Sequence, residues 1–172
     1  MPRNVEVKAR VTDFMTLRRR VESMSDSPVE VLEQRDTFFV VPRGRLKLRV
    51  LAPDACELIS YERPDRAQAK LSEYSIVRSS DPEALLKVLS AALTIRGVVV
   101  KRRFLYRIGC TRVHLDEVDG LGTYIELEVV LDEGQSSEEG AAMAERLMRE
   151  LGIEHADQVA GAYIDLLEEG RQ

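Results

Sequence analysis

The sequence has no apolar stretch approaching the roughly 20 residues that a membrane-spanning helix needs, and its N-terminus has no apolar core of a secretory leader. From these absences we expect a soluble, cytoplasmic protein that makes no membrane contact. Cysteine is scarce. Cys56 and Cys110 stand alone at no metal-ligand spacing, so they read as reduced, partly buried strand residues rather than ligands or nucleophiles. An excess of positive charge is also missing: 25 Lys and Arg against 30 Asp and Glu leave a net charge of −5. No global field recruits nucleic acid, and any anion must be held by a local concentration of bases. The expected partner is a small anionic molecule and not a duplex. No stretch reads as a linker, so residues 1–172 are expected to form a single domain that buries about two-thirds of its unfolded surface.

What is present is charge on every second residue of several strand-like segments. In Asn4-Val5-Glu6-Val7-Lys8, alternation at period two places Glu6 and Lys8 on one sheet face and Val5, Val7 and Ala9 on the other. The pattern returns in Arg45-Leu46-Lys47-Leu48-Arg49, at Val99, Lys101 and Arg103, in His114-Leu115-Asp116 and in Glu126-Leu127-Glu128. Strands are expected at 4–11, 29–41, 45–51, 56–63, 70–78, 97–108, 111–118 and 123–131, joined mostly by short turns that favour antiparallel hairpins. Helices are expected after Thr12 or Asp13, over 83–93 behind an Asp81 cap and Pro82, and after a Ser136/Glu139 capping box that Gly152 ends. A last helix is expected near 157–168, with His155 at its start.

About eight antiparallel strands are enough to close a barrel, and the expected fold is α+β: a closed eight-stranded antiparallel β-barrel with helices packed on its outside. Alternation leaves two fillings open. Apolar residues inside make an ordinary core with solvated charges; apolar residues outside, covered by the amphipathic helices, make a lumen lined by ions. The supply of apolar helices favours the second.

These segments, taken in order, resemble the CYTH or triphosphate tunnel metalloenzyme family. The resemblance is carried by Asn4-Val5-Glu6-Val7-Lys8, Gln34-x-Asp36-x-Phe38-Phe39, Leu46-Lys47-Leu48-Arg49, Tyr61-Glu62-Arg63-Pro64-Asp65, Lys70-x-Ser72-x-Tyr74 and Lys101-Arg102-Arg103. It continues through His114-Leu115-Asp116-Glu117-Val118, Gly120-Leu121-Gly122 and Glu126-Leu127-Glu128. The Arg-Pro-Asp turn and the run from Leu115 to Glu128 look most like the class IV adenylate cyclase branch. Asn4 stands where the family's first motif has a glutamate.

The resemblance implies a tunnel in which bases grip a triphosphate and acids hold Mg2+ or Mn2+. Lys8, Lys47, Arg49, Arg63, Lys70, Lys101 and Arg103 fall at its phosphate-binding positions; Glu6, Asp116, Glu126 and Glu128 fall at its metal-binding ones. Glu6, Lys8, Glu126 and Glu128 are the implied catalytic residues. The implied activity is metal-dependent hydrolysis of inorganic triphosphate, thiamine triphosphate or a nucleoside triphosphate. The alternatives are a class IV adenylate cyclase that makes cyclic AMP and pyrophosphate, and a binding module that holds polyphosphate or a nucleotide without turnover. A homodimer is compatible with the cyclase branch. An amide at position 4 brings no negative charge and weakens cation binding relative to glutamate.

Several residues keep a plainer reading. Arg10, Arg78, Arg107 and Arg112 stand between tunnel rim and solvent. Arg18, Arg19 and Arg20 form a solvated helix face, and Phe38, Phe39 and Tyr74 read as core or as base-stacking rings. His114 reads as structural, since nothing at metal spacing accompanies it along the chain. Tyr163 either packs against the barrel or touches the ligand.

Overall fold

A computed structural model describes residues 3–62 and 67–171. Eight strands run in the order β1 (Arg3–Arg10), β2 (Glu30–Phe39), β3 (Arg45–Ala52), β4 (Ala55–Glu62), β5 (Lys70–Ser79), β6 (Ile95–Ile108), β7 (Thr111–Val118) and β8 (Gly122–Val130). Four α-helices are interspersed: α1 (Phe14–Met24), α2 (Pro82–Ala92), α3 (Ser137–Leu151) and α4 (Tyr163–Glu169). The strands close into an antiparallel barrel in the spatial order β1-β5-β4-β3-β2-β6-β7-β8, so the fold is α+β as expected. Local chemistry starts the helices where it should. The Asp13 carboxylate accepts from the Thr16 amide, Asp81 accepts from Ala84 ahead of Pro82, and Ser136 and Glu139 cap α3 reciprocally.

The apolar side of the alternation faces outward. Val5, Val7, Val113, Leu115, Ile125, Leu127 and Val129 form the outer wall of the barrel and pack under Leu17 and Val21 of α1 and Ala144, Leu147, Met148 and Leu151 of α3. Leu85, Leu86 and Leu89 of α2 cover Phe39, Leu48 and Cys56, whereas Val88 remains 64% exposed. Helices therefore shield the hydrophobic layer from water, and the inner face keeps its charges. Phe39 belongs to the outer layer, while Phe38 and Tyr74 point inward.

The tail departs from the expected continuous helix at 157–168. Only a single 3-10 turn forms at His155–Asp157. The chain then runs extended along β1, bridging Ala9 to Gln158 and donating the Val159 amide to the Lys8 carbonyl at 2.9 Å. Gly161, at φ +79°, takes the left-handed conformation that L side chains avoid, and this breaks the helix before Asp165 restarts it by accepting from the Ala162 amide at 2.6 Å. The resulting short α4 packs Ala162, Tyr163, Ile164 and Leu166 against Phe38, Val99, Val118 and Tyr124, plugging one end of the barrel. A side chain at Gly97 would collide with Ile164, which is why the helix seats so closely on β6. Arg96 clamps it through Asp165 and Glu168, and Arg45 adds a 2.9 Å ion pair to Asp165.

Cys56 is buried as expected, but Cys110 is exposed, because it sits in the tight turn between β6 and β7 beside Gly109 rather than within a strand. No helix among the described residues is long and apolar enough to cross a membrane. Leu127, fully buried against α3 and α1 partners, carries the outer layer at its centre. Leu127→Ala should lower unfolding stability by about 2–5 kcal/mol, read as an earlier urea midpoint. A midpoint matching wild type would show that the outer face is not the core.

Candidate functional site in the barrel lumen

Residues from all eight strands, with Ala162 and Tyr163 of the plug, line a cavity of about 370 Å³. Its lining runs from Tyr163, 5% exposed, to Arg78 and Arg107, whose side chains reach solvent. The plug closes one end, and the exposed arginines mark the mouth at the other. Lys8, Lys47, Arg49, Lys101 and Arg103, five of the bases expected to hold phosphate, line this space. Lys70 is 1% exposed and stands opposite Glu6 in the β1–β5 register. Arg63 lies outside the described residues. Of the expected metal-binding acids, Glu6, Glu126 and Glu128 line the cavity.

A second anionic position organises the bases. Asp36, 1% exposed, accepts two parallel hydrogen bonds from Arg49 at 2.8 and 2.7 Å, and pairs with Lys101 at 3.1 Å and Lys47 at 3.2 Å. Burial opposes its charge, but Arg49, Lys101 and Lys47 hold the carboxyl well below the usual range. Burial, reinforced by Arg49 and resisted by Asp36, pulls Lys47 down to about 8. Burial also leaves Lys101 well below its ordinary value despite Asp36. These two ammonium groups are thus poorly solvated donors that gain from any further anion.

Asp116, expected among the metal-binding acids, is engaged by neighbouring side chains. It is fully buried, absent from the cavity lining, and bound by Arg103 through two 2.7 Å hydrogen bonds and by the Tyr163 hydroxyl at 2.6 Å. Burial raises its pKa, but Arg103 outweighs that and brings it to about 2. The carboxylate serves to aim Arg103 into the lumen. Tyr163 both packs and reaches the site: its ring lies 3.8 Å from the Lys8 ammonium, a cation–π contact, and edge-on to Tyr124.

The acids converge on the opposite wall. Glu126 pairs with Lys8 at 3.3 Å and Arg103 at 3.4 Å, and Glu128 with Arg112 at 2.7 Å. Burial opposes the Glu126 charge, but Lys8, His114 and Arg103 keep its pKa well below normal. His114, read from the sequence as structural, has Nδ1 at 3.4 Å from Glu126 and 3.9 Å from Glu128. One ligand atom from each of the three lies within 4.8 Å of the others. Its companions come from the neighbouring strand, where Glu126 is its register partner, and spacing along the chain does not reveal them. Burial, then Arg103, lowers its pKa and favours the neutral ring. Asn4 also lines the cavity, and its Oδ1 is buried with no hydrogen-bond partner among the described residues.

The sequence reading also underplayed Asp36, which appeared only within a motif. Its signal was the inward parity shared by Gln34, Asp36 and Phe38. Arg112 proves to be a lining residue. Arg78 and Arg107 sit at the mouth, and Arg10 is exposed, bonded to Tyr124 at 2.8 Å.

This geometry has counterparts among known proteins. The structure is similar to a Pyrococcus horikoshii OT3 protein with a TM-score of 0.82 at 25% identity, over 95% of this chain and 99% of that one. A Vibrio parahaemolyticus protein described as a candidate adenylate cyclase is similar with a TM-score of 0.75 at 20% identity, over 96% of this chain and 97% of that one. A Hippeastrum protein described as a candidate adenylyl cyclase with a dominant triphosphatase activity gives a TM-score of 0.69 at 16% identity, over 99% and 96% of the two chains. The last two likenesses are of fold alone. No curated protein sequence matches this one. Residues 2–163 match the family model of the CYTH domain, and the chain accordingly belongs to the CYTH domain family.

Proposed function

We propose that this protein is a metal-dependent phosphohydrolase that cleaves a triphosphate held in the barrel lumen. The observation that carries the reading is the enclosed lumen itself, where five bases face a wall of carboxylates across a cavity of about 370 Å³. A triphosphate bears about four negative charges, and once water is excluded it needs several fixed donors. Arg49 and Arg103 are oriented by Asp36 and Asp116, and Lys8, Lys47 and Lys101 supply mobile ammonium groups between them.

The carboxylates of Glu126, Glu128 and Glu6 suit a divalent cation such as Mg2+ or Mn2+, since hard cations take oxygen ligands and all three side chains face the lumen. Glu6 is the direct register partner of Glu128 across β1 and β8. A cation bound there supplies charge neutralisation at the phosphoryl oxygens. The chain's own groups fix the polyphosphate in line for attack by water and keep bulk solvent out through the α4 plug. Asp116 contributes by orienting Arg103.

A cyclase is the second reading. It is favoured by the description of the Vibrio protein and by Leu51, Ile59, Tyr61, Tyr74 and Ile76, which give the lumen an apolar wall able to face a nucleobase. The two readings differ in the nucleophile: water for hydrolysis, the ribose 3′-oxygen for cyclisation.

Incubation with inorganic triphosphate, thiamine triphosphate and ATP, each with Mg2+ or Mn2+, should release phosphate. Cyclic AMP as the product would replace hydrolase by cyclase, and binding without turnover would leave a binding module. Glu126→Gln should lower kcat by about 100-fold with melting little changed, and Lys101→Ala should act mainly on KM. Unaltered kinetics in both would remove these residues from the site.

Asp36→Ala should cost about 3–5 kcal/mol of stability, because it strands three buried cations. Added pyrophosphate should raise the melting temperature of that variant more than that of wild type. The folded Asp36 carboxyl titrates below its unfolded value. Its contribution is therefore complete above the unfolded pKa of about 3.9, declines below it and is gone once pH passes the lower folded value, so the gap between wild type and variant should begin to narrow below about pH 4 and close in strong acid.

A further inference from the structure

Beside the two glutamates of the lumen stands a donor that an all-oxygen cation site does not use. His114 is 5% exposed, and its Nδ1 lies 3.4 Å from Glu126 Oε1 and 3.9 Å from Glu128 Oε1. Both separations exceed the roughly 2.7–3.2 Å of a good N–H···O hydrogen bond. The Glu126 contact is a long hydrogen bond, and the same convergence lets the three donors close on one ion with shifts of a few tenths of an ångström. With metal–ligand bonds of roughly 2.1–2.3 Å, neighbouring ligands of an octahedron stand roughly 3 Å apart and opposite ones roughly 4.4 Å apart. All three ligand atoms here lie within 4.8 Å of one another.

Asn4 supplies an independent observation. It is 3% exposed, lines the same cavity and keeps an Oδ1 without a hydrogen-bond partner among the described residues. It sits one inward position from Glu6, the register partner of Glu128. A buried carbonyl oxygen left open in a polar cavity is costly unless a ligand completes it.

We propose that His114, Glu126 and Glu128 form a mixed nitrogen–oxygen metal centre, with the Asn4 carbonyl as a neutral oxygen donor, that selects Mn2+ over Mg2+. The proposal rests on the reading that the lumen binds a divalent cation. Mg2+ demands oxygen ligands in near-ideal octahedral geometry and gives up its water reluctantly, whereas imidazole nitrogen suits transition ions. An amide at position 4 in place of a carboxylate lowers the charge attraction that both ions share, so the nitrogen bond decides more of the difference. Lys8 at 3.3 Å and Arg103 at 3.4 Å from Glu126, and Arg112 at 2.7 Å from Glu128, occupy the same carboxylates. A polyphosphate gives those cations other partners, so ion and polyanion should bind together.

The test is Mn2+ titration of the full chain followed by electron paramagnetic resonance, with and without pyrophosphate. Pulsed spectra of bound Mn2+ should show nitrogen coupling that shifts to the 15N pattern when histidine is 15N-labelled. His114→Gln should abolish the coupling and weaken Mn2+ binding about 10-fold or more, while Mg2+ affinity, read by competition, changes less than about 3-fold. Bound Mn2+ with no nitrogen coupling in wild type overturns the mixed centre and leaves an all-oxygen cation site standing. No Mn2+ binding even with pyrophosphate overturns both. Should His114→Gln fail to fold, the labelled spectrum of His155→Gln, which leaves His114 as the one histidine, decides the matter.

Discussion

Asp36 gathers Lys47, Arg49 and Lys101 within about one hydrogen bond of a single carboxylate, and much of the lumen depends on it. A closed barrel has no edge through which an inward-facing charge can escape to water, so every ion it encloses must find a counter-ion inside. Asp36 answers that demand for three bases and Asp116 for Arg103, while Glu126 and Glu128 are matched by Lys8 and Arg112. The lumen's bases are thus held by carboxylates, with an excess of positive charge around Asp36. A polyanion does not meet bare cations; it competes with carboxylates already in place, and the bases stay pre-aimed because those carboxylates hold them.

The apolar layer makes this arrangement affordable. By packing Val5, Val7, Leu115 and Leu127 outward under α1 and α3, the barrel places its hydrophobic burial outside the sheet and leaves the interior free for chemistry. The same inversion explains α4. An open tunnel end would let bulk water screen the site, and the short helix closes it with Tyr163 while Arg96 and Arg45 hold the helix from outside. The Tyr163 hydroxyl bonds Asp116, so the seating of the helix and the aim of Arg103 share a single carboxylate.

Local signals were the most legible. Period-two charge in Asn4-Val5-Glu6-Val7-Lys8 marked both the strand and its polar face, and the caps at Asp81 and Ser136 marked helix starts, because each depends on neighbours a few residues away. The tail was misread for the complementary reason. Gln158 and Val159 run along β1 because they pair with Ala9 and Lys8, contacts some 150 residues distant, and Gly161 then breaks the backbone. Cys110 was read as a partly buried strand residue, but it lies exposed in the turn between the two strands whose facing bounds were expected correctly.

The sequence by itself determined that the strands carry one ionic and one apolar face, and which bases and acids share the former. Side-chain direction in a strand follows from backbone geometry residue by residue, so parity is written locally. The assembled barrel alone turns the ionic face inward, brings His114 to Glu126 and Glu128, and binds Asp116 to Arg103 and Tyr163. Those facts depend on strand register and barrel closure, which bring together side chains far apart in the chain and are set by the sum of many weak packing contacts.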